Sequence, residues 1–249
     1  MNADLIHWGI TGAAALGAGV LNAIAGGGSF LTFPALVFAG VPVLQANATS
    51  AMAVSPGYLG SVLGFKEEIR SLPRRDVWTG VIISGLGGLI GAALLMLTPA
   101  KLFSGLVPWL LLVATVLFWI GPSIARFSQN SQLERARIPG LLLVSIYGGY
   151  FNGGLGILLM ALYTLTGLHH LHTVNALKNL NSFVLSLLSV AAFALAGAIV
   201  WPQAIWMMVL ATIGGWLGAR WAKRLPMAYV RALVLLTGVV MTMVFFVRQ

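Results

Sequence analysis

Apolar residues run along this chain in long blocks, near residues 5–24, 44–65, 77–97, 102–121, 172–197, 204–222 and 227–247. Each block is close to the ~20 residues that a helix needs to cross ~30 Å of hydrocarbon. Tryptophans stand at several block ends, Trp8, Trp78, Trp119, Trp201 and Trp221, as in an interfacial aromatic belt. Polar sequence separates the blocks at 66–76 (KEEIRSLPRRD), at 122–140 (PSIARFSQNSQLERARIPG) and at a small basic cluster, Arg220, Lys223 and Arg224. The first block has no basic residues before it and runs straight into more apolar sequence, so it reads as a membrane helix and not as a signal peptide. The pattern predicts an all-α polytopic membrane protein.

Two regions do not fit a simple crossing. Residues 25–40, AGGGSFLTFPALVFAG, open on Gly26-Gly27-Gly28. Residues 141–167 are interrupted by Gly148-Gly149 and by Asn152-Gly153-Gly154-Leu155-Gly156. The 14 residues from Gly154 to Gly167 extend only about 21 Å as a helix, which is too short to span. Both regions therefore read as broken helices that stop inside the membrane. They are also related by position. Asn22 precedes the first glycine cluster as Asn152 precedes the second, and each short segment leads to an Asn-Ala motif, at Asn47-Ala48 and at Asn175-Ala176. The offset is 128 to 130 residues, about half of the chain, which points to an internal duplication.

Composition strengthens this picture. Only 8% of the 249 residues are charged and 59% are hydrophobic, and the mean hydropathy is +0.96; an ordinary soluble domain has roughly 25% charge. Disorder, a disulfide scaffold and a nucleic-acid reader are excluded. With no cysteine, thiol chemistry and cysteine metal sites are excluded as well. The net charge of +9 is an orientation signal: 11 of the 14 basic residues fall in the three polar clusters plus Arg231, which the positive-inside rule assigns to the cytoplasm. Lys101 and Arg248 then lie outside. The loop after the Asn-Ala segment is basic in the first half (66–76) and uncharged in the second (198–203), while the next turn is nearly neutral in the first half (98–101) and basic in the second (220–224). The halves are thus expected to be inverted repeats of about five helical segments each, at 1–121 and 140–249. A cytoplasmic linker at 122–139 joins them, and short or broken helices meet near the bilayer midplane, as in many secondary transporters.

The break points carry the candidate chemistry. A helix that starts in hydrocarbon presents unpaired N–H groups and the positive end of its dipole, so it binds an anion without a charged side chain. Such a break persists only where the backbone is covered by protein or lines a cavity. The expected site takes Asn22, Gly26, Gly27, Gly28, Ser29, Asn47, Thr49 and Ser50 from the first half. From the second it takes Asn152, Gly153, Gly154, Gly156, Asn175, Lys178 and Asn179. Lys178 is the one charge well inside a span, where charges are costly and mark function; the alternative for it is snorkelling to the near interface. No Asp or Glu lies in a span, so a carboxylate proton relay is absent and a cationic substrate has no counter-charge. Close helix packing is the other reading of the glycines. The pattern of a phosphate-binding loop is missing.

Taken together, Gly-Gly-Gly-Ser-Phe-Leu-Thr-Phe-Pro at 26–34, Ala-Asn-Ala-Thr-Ser at 46–50, Tyr-Gly-Gly-Tyr-Phe-Asn-Gly-Gly-Leu-Gly at 147–156 and Asn-Ala-Leu-Lys-Asn at 175–179 resemble the TauE/SafE family of bacterial and archaeal membrane permeases. The resemblance covers nearly the whole chain, although the second glycine run is less dense than is usual there. It implies a multi-pass protein of the cell membrane that transports a small anion, sulfite or an organosulfonate. No cofactor and no nucleic acid are expected, the lipid bilayer is the surrounding partner, and the sequence is compatible with a homo-oligomer. Two other classes compete. One is a passive anion channel. The other is a membrane-embedded metal enzyme, for which only His169, His170 and His172 offer ligands.

Overall fold

The computed structural model describes residues 2–24, 26–127, 131–168, 170–221 and 227–247. Among the described residues the chain is all-α, with no strand. In the first half α1 (Asn2–Ile24) is followed by the short α2 (Ser29–Phe38) and by α3 (Val43–Gly64); a polar turn, α4 (Lys66–Ser71), precedes the long α5 (Arg74–Leu97) and α6 (Ala100–Phe127). After a 3₁₀ turn (Ser131–Ala136) the second half repeats the order. It runs α7 (Arg137–Tyr150), the short α8 (Leu155–Leu165), α9 (Leu171–Leu195), α10 (Trp201–Trp221) and α11 (Met227–Val247).

All seven expected blocks are helices, and both glycine-rich regions are broken where expected. The linker differs. Helix α6 runs on to Phe127 and α7 already begins at Arg137, so helices enter the polar stretch from both sides. Arg137 explains the second entry. Its guanidinium donates to the Thr166 carbonyl oxygen (2.7 Å) and to Thr166 Oγ1 (3.2 Å), placing a cation on the exposed carbonyl end of α8. Lys223, Arg224 and Arg248, used to orient the chain, lie outside the described residues.

Among the described residues, four helices are long and apolar enough to cross a membrane: Asp4–Ala23, Arg74–Leu97, Ala100–Ile120 and His172–Leu195. Large apolar side chains cover the outer faces of α5, α6, α10 and α11, among them Leu86, Ile90, Leu94, Trp109, Val113, Val209, Leu236 and Met243. Such a continuous apolar exterior needs lipid around it. Inside, α3 packs on α9.

Two tight seams hold the halves together: α1 lies along α10, and α5 along α7. Both depend on glycine. A Cβ on Gly19 of α1 would stand 2.6 Å from Gly215 N, and one on Gly218 would stand 2.7 Å from Val20 Cα. In the other seam a Cβ on Gly91 would stand 2.6 Å from Tyr150 N, and one on Gly149 2.9 Å from Gly88 Cα. The two backbones touch, which is how helices gain van der Waals contact without a hydrophobic drive between them. Gly91→Ala is therefore expected to lower the Tm of the detergent-solubilised protein, at a cost of about 1–3 kcal/mol or more. Gly57→Ala on α3, where nothing lies within 4 Å, is expected to leave it unchanged. Equal melting of the two variants would remove the seam from the account.

Candidate functional site

The site is built where the two helix breaks meet. Helix α1 stops at Ile24, and Gly26 turns the chain back with φ +70° while its N–H donates to Leu21 O at 3.0 Å. Helix α2 then starts at Ser29. In the second half Phe151 is extended after α7, and Gly154, with φ +78°, caps the start of α8. Each break thus holds a glycine in a conformation that a Cβ disfavours, Gly26 three residues before α2 and Gly154 directly before α8.

The two turns are in contact. A Cβ on Gly26 would lie 3.5 Å from Gly156 Cα, and one on Gly156 would lie 3.4 Å from Gly26 Cα. Lys178 of α9 lies across the same point. Its Nζ is 3.8 Å from the Cβ position of Gly26, and its Cδ is 3.8 Å from that of Gly156. Lys178 is buried, yet among the described residues no carboxylate and no hydrogen bond meets its ammonium group; the one ion pair there joins Arg137 to Glu134. Among the described residues Gly156 N has no acceptor either, as expected in the first turn of a helix. An ammonium and a helix start therefore share one buried corner, and this set of donors attracts a small anion.

The expected site residues divide into two groups around this corner. Several hold the breaks in place. Asn22 Oδ1 accepts from Gly27 N (3.0 Å) and Gly28 N (2.7 Å), so it occupies two of the donors that open α2. Asn47 Nδ2 donates to Tyr150 O (3.0 Å), closing the carbonyl end of α7. Thr49 Oγ1 accepts from Val200 N (3.0 Å), before α10, and Ser50 Oγ pairs with Thr32 Oγ1 (2.6 Å) between α3 and α2. Others remain uncommitted. Asn152 is buried and its Oδ1 has no partner among the described residues; a half-turn of the amide presents NH₂ at the same place. Asn175 is half-buried and Asn179 is buried, and with Lys178 they lie on one face of α9, three and four residues apart. Ser29, Gly153 and Gly154 are buried at the two helix starts.

Some participants were not picked out from the sequence. Tyr147 donates its hydroxyl to Gly153 O (2.9 Å) and so holds the second break; its place in the Tyr-Gly-Gly-Tyr motif was the only signal. Thr32 was hidden in an apolar segment. The histidines are a different case: His170 and His172 are exposed, and His169 lies outside the described residues. Among the described residues no group of three His, Cys, Asp or Glu side chains could hold a metal.

The family model described as "Sulfite exporter TauE/SafE" matches residues 11–245. A probable membrane transporter protein of Haemophilus influenzae is 30% identical over 229 residues, covering 90% of this chain and 89% of that protein. The probable membrane transporter protein YfcA of Escherichia coli K12 is 27% identical, covering 90% of this chain and 84% of that protein. The probable membrane transporter protein ORF9 of a Sinorhizobium species is 25% identical, covering 91% and 87%. No solved structure matches the chain.

Proposed function

We propose, from the premise that this chain belongs to the Sulfite exporter TauE/SafE family, that it is a secondary transporter of a small oxyanion. The substrate we infer is sulfite or an organosulfonate, moved across the cell membrane by alternating access. The observation that carries this reading is the contact of Gly26 with Gly156 under the Lys178 ammonium, which has no partner among the described residues. Sulfite and a sulfonate both offer a compact set of three oxygens. Such a group accepts from an ammonium, a helix-start N–H and an Asn152 amide at once.

The pairing of the helices supports alternating access. Each half sends its first helix against the fourth of the other's five segments, with the turn α4 set aside: α1 against α10, and α7 against α5. With the charge pattern along the loops, this exchange fits two inverted repeats, at 1–121 and 140–249, about a pseudo-two-fold axis through the glycine contact. The N-terminus is then outside and the 122–139 segment in the cytoplasm. The site holds a charge and polar groups but pairs no nucleophile with a base, so it suits binding and release more than catalysis.

Flux tests the reading. Proteoliposomes containing the purified protein are expected to take up labelled sulfite or sulfoacetate, and empty liposomes are not. Uptake of neither anion would overturn the assignment of substrate.

A further inference from the structure

On the outward face of α5 a large apolar side chain stands at every turn: Trp78, Ile82, Leu86, Ile90 and Leu94. On α6 the outward row breaks at Gly105, four residues after Lys101 and four before Trp109. Positions four apart lie one above the other on a helix, so this face shows a cation, a gap and an indole in turn, over about 12 Å. The gap is an open groove of about 610 Å³, lined by Pro99, Lys101, Leu102, Gly105, Leu106 and Trp109. Leu102, Leu106 and Trp109 are exposed there, whereas Phe103 and Val107 on the opposite side of the helix are fully buried. The Trp109 indole is fixed as the far wall, because Phe246 of α11 meets it edge-on with 5.2 Å between the ring centroids.

The groove joins two chemistries. Its mouth is at a membrane boundary, since Lys101 is the second residue of the apolar span Ala100–Ile120, and its floor runs from there into hydrocarbon. Lys101 is exposed and has no hydrogen bond or ion pair among the described residues. The chain holds little to neutralise it. Of the five carboxylates, Glu67, Glu68 and Asp76 lie at the far end of α5, and Glu134 lies beyond the far end of α6. These helices have 24 and 28 residues, so about 35–40 Å separate those carboxylates from Lys101. The fifth, Asp4, is on α1, which lies along α10. The counter-charge therefore comes from outside the chain. A small free anion would leave the apolar floor bare, and a second copy of the same face would bring another lysine and no carboxylate. A ligand with an anionic head and a hydrocarbon tail satisfies both ends of the groove.

We propose that this groove holds one anionic phospholipid, its phosphate on Lys101 and one acyl chain lying over Gly105 against Leu102, Leu106 and Trp109. The test titrates the full-length protein, purified in a neutral detergent, with phosphatidylglycerol and with phosphatidylcholine of the same acyl chains, and counts retained lipids by native mass spectrometry. One phosphatidylglycerol is expected to bind, roughly fivefold more tightly than phosphatidylcholine, which is what one lysine at a membrane surface contributes. Lys101→Gln is expected to remove that preference and keep the parent's Tm, because the side chain is exposed and has no partner among the described residues. Lys101→Arg is expected to retain the preference. Gly105→Leu fills the groove and is expected to weaken both lipids alike. Equal retention of the two lipids by the parent, or a preference that survives Lys101→Gln, would overturn the site. So would a dimer that forms without lipid and is lost in Gly105→Leu, which would assign the groove to a second copy of the chain. The groove shares no residue with the corner at Lys178, so sulfite flux can fail while the lipid site stands, and the reverse.

Discussion

Lys178→Met is expected to abolish anion binding while leaving the empty protein at least as stable as the parent. The reason lies in what surrounds the ammonium. It is buried against Gly26 and Gly156 with no carboxylate or hydrogen bond among the described residues, so in the empty protein it is a desolvated charge without compensation. An unbranched apolar side chain of similar length fills the same space without that cost. With anion bound, the ammonium is half of a buried ion pair, and truncating one partner of such a pair costs about 2–5 kcal/mol, or roughly 30-fold and upward in affinity. The two readouts thus move apart: the Tm of the empty protein holds or rises, and the Tm increment from added sulfite disappears. If Lys178 merely snorkels, Lys178→Met binds sulfite as the parent does. If it is a structural residue, the empty variant melts lower. Either result would remove it from the site.

The second large effect separates two asparagines that occupy matching places in the two halves. Asn22→Leu is expected to damage the fold. It leaves the N–H groups of Gly27 and Gly28 without their acceptor, and each buried donor left unpaired costs about 1–3 kcal/mol. Asn152→Leu is expected to spare the fold, because Asn152 Oδ1 has no partner to lose, and to weaken anion binding by tenfold or so if its amide contributes one hydrogen bond to a charged ligand, about 1.5 kcal/mol. Thermal melts with and without sulfite read both quantities in one experiment. Equal loss of stability in the two variants would mean that the halves use their asparagines alike, contrary to the observed bonding.

That contrast also marks how far the sequence could be read. The blocks of apolar residues located the long helices within a few residues, because ~20 apolar positions in a row have few other uses. Gly26-Gly27-Gly28 and Asn152 to Gly156 marked both breaks, since φ values of +70° and +78° are open to few residues but glycine. Repetition in sequence, however, says nothing about which copy of a residue is engaged. Asn22 and Asn152 look equivalent as letters, and only the fold shows one closing two backbone donors while the other stays open. Thr49 and Ser50 failed to stand apart for the same reason: a hydroxyl beside a candidate site looks identical whether it faces a ligand or, as here, Val200 N and Thr32.

Binding of an oxyanion at the contact of Gly26 and Gly156 beside Lys178 can be seen with selenite, a heavier analogue of sulfite, through the anomalous scattering of selenium in crystals of the complex. A selenium peak is expected at this corner, with the ligand's oxygens within hydrogen-bonding reach of Lys178 Nζ, and no peak there in Lys178→Met crystals soaked in the same way. A selenium peak elsewhere in the protein, with this corner empty, would overturn the assignment of the site.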